Sequence, residues 1–321
     1  VAEFSRSRRV EGNRTILDFD VTDLLDPLEL EEFRRQTGLR RSPVTLVLPN
    51  ERQIRPGQET SGERVVVAFL HGFGGSRDSW GIHDSISGRR NLVSEVLGSV
   101  ESTGKEAIGL VLAGLGRDGG NLDGSVRGLG LTPRHYSSQL AYVLRHLDLY
   151  DCGHIVGIGH SVGAAALWEF AAGNFTDGTT RVDQGGAGPE VAIVSISPVR
   201  AIIDNRGLRV GCQVAGRGLD LLLRPLFRLW RLSSRRLWDL AGMASVLKGL
   251  ARQGPPKVDL AGIKGLVVVG EHDWIARLGL AEGLQRAGCS WPVTQLAGLG
   301  HNLLWHPATI GALVHHMPAL L

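Results

Sequence analysis

The sequence predicts an α/β fold with a mostly parallel central sheet flanked by helices. Two features carry that expectation. Short apolar runs alternate along the chain with amphipathic, helix-spaced stretches, the pattern of strands joined by helical crossovers. One of those runs, Ile155-Val156-Gly157-Ile158, leads into Gly159-His160-Ser161-Val162-Gly163 and then Ala164-Ala165-Ala166-Leu167, a strand, a sharp turn and a helix. The size fits: 321 residues, 43% hydrophobic and 21% charged, can close a real core in one large domain plus an insertion.

From the N-terminus, Thr15–Phe19 reads as an edge strand and Asp26–Phe33 as the start of an acidic-capped helix. Residues 1–61 are expected to form an extension packing on the core. Further strands are expected near Val44–Leu48, Val65–Leu70, Ala107–Leu112, His154–Ile158, Val191–Ile196, Leu266–Val269 and Pro292–Leu296. Helices are expected near Gly88–Leu97, Pro133–Leu147, Ser161–Ala172, Ile275–Ala287 and Pro307–His316. In the second of these, Leu140, Val143, Leu144 and Leu147 form an apolar stripe at helical spacing, which is core and not a ligand box. Residues 174–190 are polar and read as a surface loop.

Chemistry concentrates at the Gly-x-Ser-x-Gly turn. Side chains at its glycine positions would collide with neighbouring backbone, and the serine hydroxyl is expected to be exposed at the carboxyl edge of the sheet. As a bare motif the serine could be only a helix N-cap. A serine hydroxyl is a poor nucleophile near neutral pH and needs a base, oriented in turn by a third group. Candidates follow in order: the strand Gly265–Gly270 ends in Glu271-His272-Asp273, and Gly298-Leu299-Gly300-His301 is a glycine-rich loop. Glu271 is the substitute for Asp273. His306, His315 and His316 compete with His301 but lie in the expected terminal helix. His71 and His160 read as supporting residues.

Four motifs in order (Leu70-His71-Gly72-Phe73-Gly74-Gly75-Ser76, Gly-His-Ser-Val-Gly, Val269-Gly270-Glu271-His272-Asp273 and Gly300-His301-Asn302) resemble those of α/β-hydrolases with a His-Gly-x-Gly-Gly loop. The resemblance spans residues 62–321. It implies the α/β-hydrolase fold, with Ser161 as nucleophile, His301 as base and then acid, and Asp273 as the orienting carboxylate. The backbone N–H groups of Phe73 and Val162 become the oxyanion donors. Residues 62–198 and 258–321 become the core, and 199–257 a helical cap inserted after the sixth sheet strand. It also implies a serine esterase or lipase-like enzyme acting on a small-molecule ester, with no metal and no cofactor. A thioesterase, lactonase or carbon–carbon bond hydrolase would use the same groups, and a non-catalytic binding protein would keep only the pocket. Relatives that open epoxides or remove halides carry Asp where Ser161 stands.

A second glycine pattern, Gly114-Leu115-Gly116-Arg117-Asp118-Gly119, satisfies G-x-G-x-x-G, but Arg134–Gln139 offers no acid where a ribose would need one. Nucleotide binding is not expected. The three cysteines, Cys152, Cys212 and Cys289, form neither a disulfide framework nor a metal pattern. No apolar run reaches transmembrane length, and Val1–Arg6 begins no signal-peptide core, so the expected location is cytoplasmic.

Residues 199–257 hold twelve Arg or Lys against three Asp in a chain of net charge +3. Arg224, Arg228, Arg231 and Arg235 recur at the spacing of one helix face, with Leu222, Leu226, Phe227, Leu229 and Trp230 among them and Pro225 expected in the first turn. Three readings stay open: a cap helix with arginines in water, a basic amphipathic helix in peripheral contact with an anionic membrane, or a lining that attracts an anionic substrate. No reader motif accompanies the basic residues, and nucleic-acid binding is not expected.

Overall fold

The computed structural model describes residues 7–49, 63–73, 75–81, 91–114, 131–176, 189–199, 206–230, 235–252, 259–277 and 280–321. The side chains of 174–176, 220, 224–230 and 235–243 lie outside that description. Nine strands form one sheet: β1 (Ser7–Glu11), β2 (Arg14–Asp20), β3 (Pro43–Pro49), β4 (Arg64–Leu70), β5 (Glu106–Leu112), β6 (His154–His160), β7 (Glu190–Ile196), β8 (Lys264–Gly270) and β9 (Val293–Leu296). Their spatial order is β1-β2-β3-β5-β4-β6-β7-β8-β9. The six strands from β5 to β9 in that order run parallel, and β1, β2 and β3 join antiparallel at one end.

The central strands are apolar throughout because both faces are covered. In β4, Val66, Ala68 and Leu70 enter one core cluster, and Val65, Val67 and Phe69 enter the other. That is the two-residue alternation of a strand. On the first face lie α1 (Pro27–Thr37), α3 (Pro133–His146) and α4 (Val162–Thr176); on the second, α2 (Leu92–Glu101) and the C-terminal helix Pro307–Leu320. The stripe of α3 is buried as expected at Leu140, Val143 and Leu144, beside Tyr136. α1 is fixed by a capping box: Asp26 accepts from the Glu29 N–H at 2.8 Å, and the Glu29 carboxylate accepts from the Asp26 N–H at 3.0 Å.

Several boundaries differ from the sequence expectation. Thr15–Phe19 lies in β2, and the edge belongs to β1, whose Ser-Arg-Arg-Val-Glu sequence shows no apolar alternation. The helix expected over 88–97 runs from Leu92 to Glu101, with residues 88–90 outside the description. The helix expected over 275–287 is a single turn, Trp274–Arg277, and α7 (Leu280–Arg286). Of the loop expected over 174–190, residues 174–176 continue α4, Glu190 opens β7, and 177–188 lie outside the description. The glycine pattern from Leu115 to Gly119 is also outside it.

Two helices follow β7, which is the seventh strand in chain order because β1 adds one before it: α5 (Arg206–Trp230) and α6 (Arg235–Arg252). Pro225 therefore lies in the last two turns of a long helix, not in the first turn of a short one. Arg224 and Arg228 belong to α5 and Arg235 opens α6, while Arg231 and the side chains of all four lie outside the description. α6 is tied to the core where the Leu131 N–H donates to the Ser245 carbonyl at 3.0 Å and to its Oγ at 3.2 Å. α5 packs chiefly on α6. The C-terminal helix Pro307–Leu320 is hereafter α8.

Candidate active site

β6 delivers Ser161 to the carboxyl edge of the sheet, between β4 and β7. The Ser161 backbone is left-handed, at φ 56°, a conformation that costs a non-glycine residue about 1–3 kcal/mol. The turn is held from below by a bond from the Ser161 N–H to the Ile196 carbonyl at 2.9 Å. Its tightness explains both flanking glycines. A Cβ on Gly159 would sit 2.5 Å from the Ala164 nitrogen, and one on Gly163 would sit 2.1 Å from the Leu70 carbonyl oxygen. The strain is thus imposed by packing that only glycine permits.

The structure brings Ser161, His301 and Asp273 together. His301 Nε2 lies 3.1 Å from Ser161 Oγ, and His301 Nδ1 lies 2.9 Å from Asp273 Oδ2. An ionised carboxylate only accepts, so Nδ1 carries the proton and Nε2 is left to accept from the serine hydroxyl. Burial pushes the Asp273 carboxyl upward, but hydrogen bonds outweigh it and hold the group below its ordinary value. The donors are the His301 ring and the Ala276 N–H, the latter at 3.0 Å from Oδ1. The Ser197 hydroxyl, fully buried, adds to the same effect.

Ser161 is only 3% exposed, contrary to the open hydroxyl expected from the sequence. It lies at the base of the site because the loop after β4 presses on it. A Cβ on Gly72 would stand 2.7 Å from Ser161 Cβ. Phe73 follows on that loop and is 39% exposed, and Val162 opens α4, where the first N–H groups have no carbonyl one turn back. The loop is anchored further on: Arg77 pairs with Asp18 at 3.2 Å and donates to the Val44 carbonyl at 3.1 Å.

The competing residues have other partners. Glu271 is exposed and accepts from the Gly298 N–H at 2.8 Å, pinning the turn before His301. His306 caps α8 through the Ala308 N–H at 3.2 Å, and His315 and His316 meet edge to face on that helix, with ring centroids 4.9 Å apart. His160 is buried and neutral, its imidazole pushed down to about 4 by burial. Its Nε2–H donates to the His301 carbonyl at 3.0 Å, and its Nδ1 would meet a Gly72 Cβ at 2.7 Å. It therefore touches both the Phe73 loop and the His301 loop. Sequence reading gave His160 a supporting part without its partner, and it missed Ser197, which is left-handed at φ 47°. Nothing in Ser195-Ile196-Ser197-Pro198 signals that conformation. A surface cleft of about 540 Å³ between α7 and β9 is lined by groups such as Val269, Leu280 and Gln295 and holds none of the three site residues.

A hydroxyl held against a carboxylate-oriented imidazole, beside helix-start and loop N–H groups, can attack an electrophilic carbonyl and stabilise the anion formed. Comparison with known proteins agrees with this at the level of fold. A thermophilic esterase from Thermogutta terrifontis is similar at 16% identity, covering 87% of this chain and 94% of that one, with a TM-score of 0.52. Epoxide hydrolases from metagenomes of hot environments give 15% identity, coverage of 86% and 95%, and a TM-score of 0.54. A laboratory-evolved potato epoxide hydrolase gives 14%, coverage of 89% and 97%, and 0.53. A search of curated proteins finds no matching relative. The family model described as "Alpha/beta hydrolase family" matches residues 67–312, from within β4 to α8. The chain belongs to the alpha/beta hydrolase family.

Proposed function

We propose that the protein is a serine hydrolase that cleaves carboxylic esters with a hydrophobic acyl or alcohol part. The observation that carries the reading is the unbroken relay from Asp273 through His301 to Ser161, at 2.9 and 3.1 Å, with the serine held in a left-handed turn. Ser161 Oγ attacks the ester carbonyl as its proton passes to His301 Nε2. The N–H groups of Phe73 and Val162 take the negative charge on the former carbonyl oxygen. The alcohol leaves with the proton from His301, forming an acyl-serine. Water then attacks the acyl group by the same route, releasing the acid and restoring Ser161.

Hydrophobic preference is supported by exposed aromatics close in sequence to the working groups. Trp274 follows Asp273 and is 65% exposed, and Trp305, four residues after His301, is 41% exposed. In this reading residues 199–257 form a helical cap, residues 1–61 an extension and the remainder the hydrolase core. Ser161 in place of Asp argues against the epoxide chemistry of the structural neighbours. Thioester, lactone and carbon–carbon substrates require the same relay and are separated by assay.

Hydrolysis of p-nitrophenyl esters from acetate to palmitate tests the proposal, with Ser161→Ala as control. Turnover abolished by the substitution is expected, with a maximum beyond acetate. Absence of turnover on every chain length, with cleavage of thioesters or lactones instead, would replace the ester reading.

A further inference from the structure

α5 is amphipathic in an unusual way: the face turned from its neighbour is apolar. Its inner side packs on α6, where a Cβ on Gly216 would stand 3.0 Å from the Ala244 carbonyl oxygen, and Leu223 is buried. On the outer side Val210, Val214, Leu221 and Leu222 are 52, 67, 62 and 69% exposed. With exposed Gly207, Gly211 and Ala215 they follow helical spacing as one stripe from 207 to 222, about 22 Å long at 1.5 Å per residue.

A row of arginines borders that stripe. Arg206 and Arg217 are exposed, stand three whole turns apart, and make no ion pair among the described residues. Arg224 and Arg228 lie seven and eleven residues beyond Arg217 in the sequence of the same helix, with side chains outside the description. Asp220 is the single acidic residue of α5, and residues 199–257 contain no Glu.

We propose that this outer face of α5 docks the protein on an anionic lipid bilayer, with the helix in the plane of the interface. The apolar stripe enters the acyl boundary while the arginines meet lipid phosphates beside it, the geometry of interfacial helices. Crossing the bilayer is not involved: among the described residues no helix is long and apolar enough to do so. Charge selects this occupant over a second copy of the chain. Two α5 faces laid together would confront arginine rows with only Asp220 on each side to offset them.

Docking does not depend on serine chemistry, so flotation with vesicles separates the two proposals. Wild-type and Ser161→Ala proteins are expected to float equally with phosphatidylglycerol-containing vesicles, and at least tenfold less with pure phosphatidylcholine or at high salt. Val214→Glu with Leu221→Glu, and Arg206→Glu with Arg217→Glu, are each expected to lower binding at least tenfold without shifting the melting temperature. These side chains are exposed, and Arg206→Gln with Arg217→Gln, expected to give a smaller loss, serves if charge reversal impairs folding. The proposal is overturned if wild-type protein fails to float, if the variants float as well as wild type, or if phosphatidylcholine binds equally. It is also overturned if α5 substitutions instead dissociate a dimer seen by light scattering.

Discussion

The Nε2–H of His160 donates to the backbone carbonyl of His301 at 3.0 Å, and the two rings lie 5.2 Å apart. The residue before the proposed nucleophile thus holds the loop that carries the proposed base. Because the same ring abuts Gly72, one buried imidazole sets the spacing between the Phe73 loop and His301. It acts through its neighbours and is a positioning residue.

Replacing His160 with Phe keeps the ring's bulk but leaves the His301 carbonyl without its donor. An unsatisfied buried acceptor costs about 1–3 kcal/mol of stability, and the loosened His301 loop should lower kcat about tenfold, or about 1.4 kcal/mol of barrier. KM should change little. Steady-state kinetics on the preferred ester check this, and a His160→Gln variant that can still donate should recover part of the loss. Equal kinetics in wild type and His160→Phe would remove the positioning role.

The same residue gives a pH signature in stability. His160 in the fold titrates at about 4, below its ordinary 6.5, so it resists protonation. Between those values the unfolded chain binds the extra proton, and stability rises with pH through that window. Acidification from 6.5 to 4 should cost on the order of 3 kcal/mol from this group. Asp273 acts in a different window: the stability from its lowered carboxyl is fully present above the ordinary carboxylate value and is lost as pH falls from there through the lowered value. Urea midpoints measured across pH should show a shallower slope between 6.5 and 4 in His160→Phe than in wild type.

Asp273→Asn keeps the shape of the site but removes the charge that fixes the His301 tautomer. A loss of about 10³–10⁴ in kcat is expected, as in other carboxylate–imidazole–serine relays. Glu271→Gln is the matched control, because Glu271 accepts from the Gly298 N–H and does not reach the imidazole through any described bond. Its effect should stay within a few-fold. A larger loss in Glu271→Gln than in Asp273→Asn would exchange their roles.

Gly163→Ala tests the packing of the turn. The added Cβ would lie 2.1 Å from the Leu70 carbonyl oxygen, a backbone atom that cannot turn aside. A destabilisation of about 3 kcal/mol or more is expected, read as a melting temperature several degrees lower. An unchanged melting temperature would mean that the elbow is loose enough to admit a methyl group.

Much of this arrangement is legible in the sequence because the relevant signals are local. The run Val65–Leu70 is apolar at every position since both sheet faces are covered, and the glycines around Ser161 report a turn that excludes side chains. Legibility fails where tertiary packing overrides local preference. α5 contains Gly207, Gly211, Gly216 and Gly218, poor helix formers that hide its first turns, although Gly216 is what lets α6 approach. β1 is an exposed edge strand held by pairing with β2, and its Ser-Arg-Arg-Val-Glu sequence carries no apolar period. The His160 bond joins residues 141 positions apart, a relationship that no spacing encodes.

Labelling with a fluorophosphonate, read by mass spectrometry of the intact and digested protein, tests the central claim most directly. The serine oxygen displaces fluoride, so only an activated hydroxyl in a working oxyanion site reacts. One adduct on the peptide holding Ser161 is expected, absent in Ser161→Ala and strongly slowed in His301→Ala. A folded wild-type protein that takes up no label, or one labelled at another residue and still labelled in Ser161→Ala, would contradict the account.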